Sequence, residues 1–235
     1  EDLYSPALIQ VEEAKKTRAR LENYAAAELE AGSNYKLARE DLIRETAFTW
    51  LNRFVALRMM EERQLIKETI SRLSDSNAFK LWVADEYDPE AKDLYLSGDT
   101  PIDSIGEGPR QKAYRRFLLW ECERLASEVS VLFDATNLSS RLFPRPPVLK
   151  QVVDDMNSPD LLEAWKPTNE ETIGWVYQSF NAEDKESVFK GLSKGEKIRA
   201  DQIPPATQIF TPRWVVRFLI ENSLGRLWIE MHPDS

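Results

Sequence analysis

Eight glycines in 235 residues, with few alternating runs of β-branched residues, leave little material for the tight turns that strands need. What alternation exists has the helical period. Within ETAFTWLNRFVALRMMEE, residues Ala47, Trp50, Leu51, Phe54 and Val55 fall on one face at 100° per residue. The fold class expected is mostly α. Helices are expected over 7–31, ended by Gly32, and over 37–73. An acidic surface loop with room for one short helix fits 85–109, where DEYDPE, SGDTP and GEGP carry breaker signals. A long helix fits 110–133. Three prolines within LFPRPPVLKQ then interrupt the pattern. Short helices fit 148–156, 159–165 and 170–180, and another follows with Asn181 as N-cap. The final helix is TPRWVVRFLIENSLGRLWIE.

Composition narrows the class. A chain of this length can bury a core without staples. One cysteine, Cys122, excludes a disulfide framework and fits a reducing cytosol. With one histidine, His232, a Cys/His zinc site has too few ligands and no catalytic triad can be assembled. No apolar run reaches the ~18 residues of a membrane span, and no signal peptide precedes the first helix. Forty acids against 31 bases give a net charge of −9, which speaks against a free-standing nucleic-acid coat. The chain opens on Glu1 and stops just after an apolar segment, so a longer polypeptide is expected.

Arg58 lies in the apolar stripe of its helix, and a buried guanidinium needs a partner. Glu62, four residues on, supplies one; a structural Arg58–Glu62 ion pair is favoured over a phosphate contact. Lys190, Lys194, Lys197 and Arg199 against Glu196 give +3 over 190–199, a weak nucleic-acid signal over which a solvated loop is favoured. Arg141, Arg145 and Lys150 form a second basic stretch. In FTPRWVV, Thr211 is expected as N-cap and Pro212 as the first helical residue, with Trp214 where a capping box wants Glu or Gln. Free N–H groups there suit a carboxylate or phosphate, although most helices begin with an ordinary cap. Asn222 is expected among Trp214, Val215, Phe218 and Ile229, as a buried amide that needs partners. Gly106-Glu107-Gly108 follows no strand, and no Walker A or HExxH sequence occurs. No catalytic residue and no metal ligand is assigned.

Two blocks resemble a known family. The segment 172–233, with IPPATQIFTP followed by ENSLGRLW, is similar to the adenine-specific DNA methyltransferases of BREX and Pgl phage-defence systems. AFTWLNRFVALRMMEE resembles that family's helical signature, with Asn52, Arg53 and Arg58 at signature positions. The resemblance implies a Rossmann-like catalytic domain, S-adenosylmethionine as cofactor and DNA as substrate. It implies cofactor contacts from Phe210, Thr211 and Pro212, with Gln208 a weaker candidate. The family's glycine-containing cofactor motif and its Asp/Asn-Pro-Pro-Tyr catalytic motif do not occur: Pro146-Pro147 stands in RPPV and Pro204-Pro205 in IPPA. In these enzymes that catalytic motif holds the target amino group and stacks on a flipped base. The expected organisation is therefore a helical domain over 1–167, a helical and basic connector over 168–200, and the first helix of a methyltransferase domain over 201–235. Such a chain is expected to buttress the catalytic domain without methylating by itself. The rival is a helical interaction module that docks other defence-system subunits through its acidic loop.

Overall fold

The structure, a computed structural model, describes residues 12–103, 106–198, 202–207 and 210–233. Among them no strand occurs, and they fall into two compact units, within Glu1–Lys166 and Pro167–Ser235.

The first unit is built on α2 (Tyr35–Glu62), reached from α1 (Glu12–Glu30) through Gly32 at φ +90. Asn34 starts α2 by accepting the Leu37 N–H through its side chain at 3.0 Å. The buried face of α2 carries Trp50, Phe54, Val55 and Leu57. α3 (Asn77–Ala84) and α5 (Pro109–Ala126) add a continuous aromatic core: Phe79 meets Tyr114 edge-on at 5.4 Å and Phe117 at 5.5 Å. Cys122 is buried beside them, which pushes its thiol up to about 12 and leaves it inert.

Two buried charges fix where α2 runs and where it ends. Arg53 is 2% exposed. Its Nε donates to the Leu132 carbonyl at 3.0 Å, and its Nη2 donates to the Asp134 carbonyl and Ser140 Oγ, both at 2.7 Å. The helix expected to reach residue 73 instead stops at Glu62. The reason is Glu61, whose Oε1 accepts the backbone N–H groups of Thr69, Ile70 and Ser71. Those amides can reach the carboxylate only if the chain doubles back, and it does so through Gln64 at φ +58. Arg58 Nη1 lies 3.0 Å from Glu62 Oε2 and 3.8 Å from Glu61 Oε2.

The long helix expected over 110–133 is likewise divided. α5 ends at Ala126, and α6 (Ser130–Phe133) is a separate turn. Arg53 draws the carbonyls of Leu132 and Asp134 to itself, so that turn goes no further. α7 (Leu138–Arg141) follows, then α8 (Pro146–Met156), in which the two adjacent prolines occupy the first helical positions, where no N–H is missed. Residues Pro159–Trp165 form a 3₁₀ helix, with Trp165 Nε1 donating to the Met156 carbonyl at 2.8 Å.

The acidic stretch holds the one short helix expected in it, α4 (Pro89–Leu96), capped by Asp88, and it is stapled to the basic side of α5. Arg116 pairs with Asp88 at 2.6 Å and Glu90 at 3.0 Å, Arg115 with Glu107 at 3.2 Å, and Lys112 with Asp103 at 2.9 Å.

Two predictions follow from Glu61. Glu61→Ala strands three amides and half of the Arg58 environment, so urea denaturation should show a loss of about 3–5 kcal/mol. Burial raises the Glu61 carboxyl above its ordinary value of 4.5, outweighing the backbone N–H groups that pull it down. The folded state then holds that proton more tightly than the unfolded one, so its contribution is lost as pH rises. The stability of Glu61→Gln relative to the wild type should accordingly improve as pH rises from 4.5; a constant difference would count against it.

Candidate functional site

The second unit holds the segment read as cofactor-facing. It comprises α9 (Thr172–Phe180), α10 (Ala182–Ser193), α11 (Ile203–Thr207) and a final helical rod. That rod is α12 (Arg213–Ile220), a π turn over Glu221–Gly225, and α13 (Arg226–Met231).

The start of the rod differs from expectation in two ways. Pro212, at φ −55 and ψ 143, is the N-cap, and Thr211 lies one residue before it. Proline can fill this position because its fixed φ matches and its side chain has no capping role to perform. The helix N-terminus is also occupied: Glu171 Oε1 accepts the Arg213 N–H, and Glu171 Oε2 accepts Trp175 Nε1–H at 3.4 Å. A carboxylate at this position is the favourable match to the positive end of a helix. An ordinary cap is the favoured expectation for this helix; in place of a side-chain cap, the chain itself supplies a carboxylate. Arg213 Nη1 further donates to the Thr168 carbonyl at 3.2 Å.

Phe210 is half-exposed and lies over α9 at Gly174, with its ring 6.1 Å from that of Tyr177 in an edge-on arrangement. The Thr211 hydroxyl makes no hydrogen bond among the described residues and faces solvent. Phe210, Thr211 and Pro212 thus form one short strip along α9, whereas Gln208 lies outside the described residues. The signal for Gly174 was available in the sequence, because an interior helical glycine costs roughly 1 kcal/mol against alanine and calls for a reason.

The lysine cluster divides differently. Lys190 pairs with Glu186 at 2.7 Å on α10, Lys194 is the C-cap of that helix, and Lys197 follows the turn at Gly195. Arg199 lies outside the described residues. Glu183, Asp184, Glu186 and Glu196 match Lys185, Lys190, Lys194 and Lys197 in number over 183–198, so the local charge is zero. The cavity lined by Val188, Gly191, Lys197 and Gln202 is only about 60 Å³. Asn181 is the N-cap of α10, as expected, but it caps with no side-chain bond; it also closes α9, its Nδ2 donating to the Tyr177 carbonyl at 3.0 Å.

The rod is apolar and uncovered within its unit. Trp214, Phe218, Leu219, Leu224, Leu227, Trp228 and Ile229 are all more than half exposed. Asn222, expected to be buried, is exposed and donates to the Phe218 carbonyl at 2.8 Å; Ser223 Oγ donates to the Leu219 carbonyl at 2.6 Å. These side chains serve carbonyls at the π turn. One extra residue in such a turn sets the following helix back by about 100°. Leu224 and Trp228 thereby continue the row of Val216 and Ile220 instead of winding away from it. Arg217–Glu221 and Arg226–Glu230 pairs, at 2.6 and 3.2 Å, accompany the rod.

In the first unit, an apolar groove of about 370 Å³ runs between α2 and α8, lined by Trp50, Phe54, Phe143 and Val148. It supplies shape without a catalytic group. Among the described residues no cluster of His, Cys, Asp and Glu could hold a metal ion, and no helix is long and apolar enough to cross a membrane.

No family model matches the chain, and no solved structure matches it. Two curated proteins do. It is 32% identical over 213 residues, 85% of its length, to the adenine-specific methyltransferase BrxX of Escherichia coli O9:H4 (strain HS). It is 31% identical over 209 residues, 84% of its length, to the adenine-specific methyltransferase PglX of Lacticaseibacillus casei (strain Zhang). The chain spans 17% of the length of each.

Exposure of the rod gives a direct check. Leu219→Ser or Trp228→Ser should change the stability of this chain by no more than about 0.5 kcal/mol in urea denaturation. A loss of about 2 kcal/mol or more would mean that the rod is buried.

Proposed function

The chain is homologous, over 84–85% of its length, to adenine-specific methyltransferases of the PglX and BrxX kind, and we propose that it is the helical N-terminal region of such an enzyme. In this reading the whole protein transfers a methyl group from S-adenosylmethionine to the N6 amino group of adenine in DNA, in the bacterial cytoplasm, as part of phage defence. The chain contributes the start of the methyltransferase domain: Phe210, Thr211 and Pro212 face the methionine end of the cofactor. Its first unit buttresses the catalytic domain and helps shape the DNA cleft.

The observation that carries this reading is the uncovered apolar rod directly after the Phe210–Pro212 strip. Seven of its large apolar residues from Trp214 to Trp228 stand more than half out of the unit, far more than a finished surface helix shows. An enclosing domain accounts for that row. The strip itself offers a free hydroxyl at Thr211 and a ring at Phe210, a small polar and apolar pair suited to an amino-acid moiety. The catalytic Asp/Asn-Pro-Pro-Tyr motif is absent from the 235 residues, so methyl transfer is assigned to the longer polypeptide.

A second reading, docking of other defence subunits, draws on Tyr87, Leu96 and Ile102, each at least 60% exposed on the acidic stretch. The charges there favour it less, because Asp88, Glu90, Asp103 and Glu107 already have partners on α5. Replacing those three apolar residues by alanine in the longer polypeptide separates the readings. Loss of partner capture with methylation intact supports docking, and loss of methylation opposes it.

Calorimetry tests the main reading. A polypeptide extended through the catalytic motif should bind S-adenosylmethionine, and residues 1–235 should not. Thr211→Val in the extended protein should weaken binding about five- to ten-fold, the loss of one hydrogen bond of ~1 kcal/mol. Unchanged affinity would remove Thr211 from the site.

A further inference from the structure

Thr168, Glu171, Gly174 and Tyr177 recur every third residue, and each of them engages the segment from Phe210 to Arg213. The Thr168 carbonyl accepts the Arg213 guanidinium N–H at 3.2 Å. Glu171 accepts the Arg213 backbone N–H and is itself held by Trp175 Nε1–H. Tyr177 meets the Phe210 ring edge-on.

Gly174 explains the closeness of the approach. Glycine is the poorest helix former after proline, yet this one sits inside α9 and is buried. A Cβ placed on it would stand 2.6 Å from two atoms of the Phe210 ring and 3.1 Å from a third. The bare backbone at 174 is therefore the seat of the ring, and any larger residue would lift Phe210 off α9.

We infer that this row is a cradle that sets the position of the Phe210–Arg213 strip, and that Gly174 and Glu171 are positioning residues for cofactor binding. The inference rests on the reading of that strip as cofactor-facing. Neither residue reaches the cofactor: Gly174 has no side chain to offer, and the Glu171 carboxylate is committed to Arg213. Each acts through the strip, by fixing its distance from α9 and the direction in which the rod leaves.

The test uses the extended polypeptide with Gly174→Ala, Glu171→Ala and Glu171→Gln, measuring KM for S-adenosylmethionine and kcat at saturating cofactor. Small misplacements of binding groups carry large effects, so Gly174→Ala and Glu171→Ala should raise KM about ten-fold while kcat stays within about two-fold. Glu171→Gln keeps an acceptor for the Arg213 N–H and should restore most of the loss. Hydrogen exchange at the Arg213 amide, measured on residues 1–235, should accelerate in Glu171→Ala and recover in Glu171→Gln. That readout stands even if Gly174→Ala does not fold.

If Thr211→Val weakens binding while the Gly174 and Glu171 variants bind as the wild type does, the cradle is overturned and the cofactor-facing strip stands. If Thr211→Val is also silent, the strip itself is wrongly assigned. Tighter binding by Glu171→Ala would overturn the cradle in another way, because the carboxylate would then be competing for the cofactor's position.

Discussion

The buried guanidinium of Arg53 holds the first unit together. A charge that is 2% exposed is tolerated only when its donors are used, and three of the bonds Arg53 makes end on the 132–140 stretch. Those bonds replace helical ones: the Leu132 and Asp134 carbonyls, which would have carried α6 on past Phe133, point at α2 instead. α6, α7 and the Phe143 contact to Trp50, at 4.7 Å, take their places from this choice. Glu61 performs the complementary task at the end of α2, gathering backbone N–H groups where Arg53 gathers carbonyls. One helix thus carries a buried cation and a buried anion eight residues apart, each serving backbone that has left regular structure.

The second unit is organised by a smaller constraint, the bare backbone at Gly174. It lets an aromatic ring lie against α9, and Glu171 then fixes the first amide of the rod beyond it. A rod that leaves in a defined direction with its apolar row uncovered is prepared to meet further structure. The π turn sharpens that preparation, since without its extra residue the row would wind around the helix over the 19 residues from Arg213 to Met231.

Periodicity made the helices legible, because Trp50, Phe54 and Val55 recur at the helical spacing and are buried together. The proline pair at 146–147 marked a helix start as well as a break. What periodicity could not show was where helices end, because the ends at Glu62 and Phe133 are set by bonds from Glu61 and Arg53 across 8 to 81 residues. Caps failed for a related reason. Asn181 and Thr211 have the right chemistry for an N-cap, but Asn181 holds the position without its side chain capping and Pro212 takes the position expected of Thr211. The short helix of the acidic stretch was legible, but its ion pairs were not, because their partners on α5 lie as far as 28 residues away. At the site, Phe210, Thr211 and Pro212 came from family resemblance, whereas Glu171 and Gly174 came from geometry. Gly174 alone had left a trace in the sequence, as a glycine inside a helical pattern.

The central claim is that the Phe210–Pro212 strip lies against the methyl donor. Ultraviolet crosslinking of radiolabelled S-adenosylmethionine to the extended polypeptide, followed by peptide mapping, tests it most directly. Label is expected in the peptide that spans residues 210–213. Efficient labelling elsewhere in the enzyme, with none in that peptide, would contradict the claim.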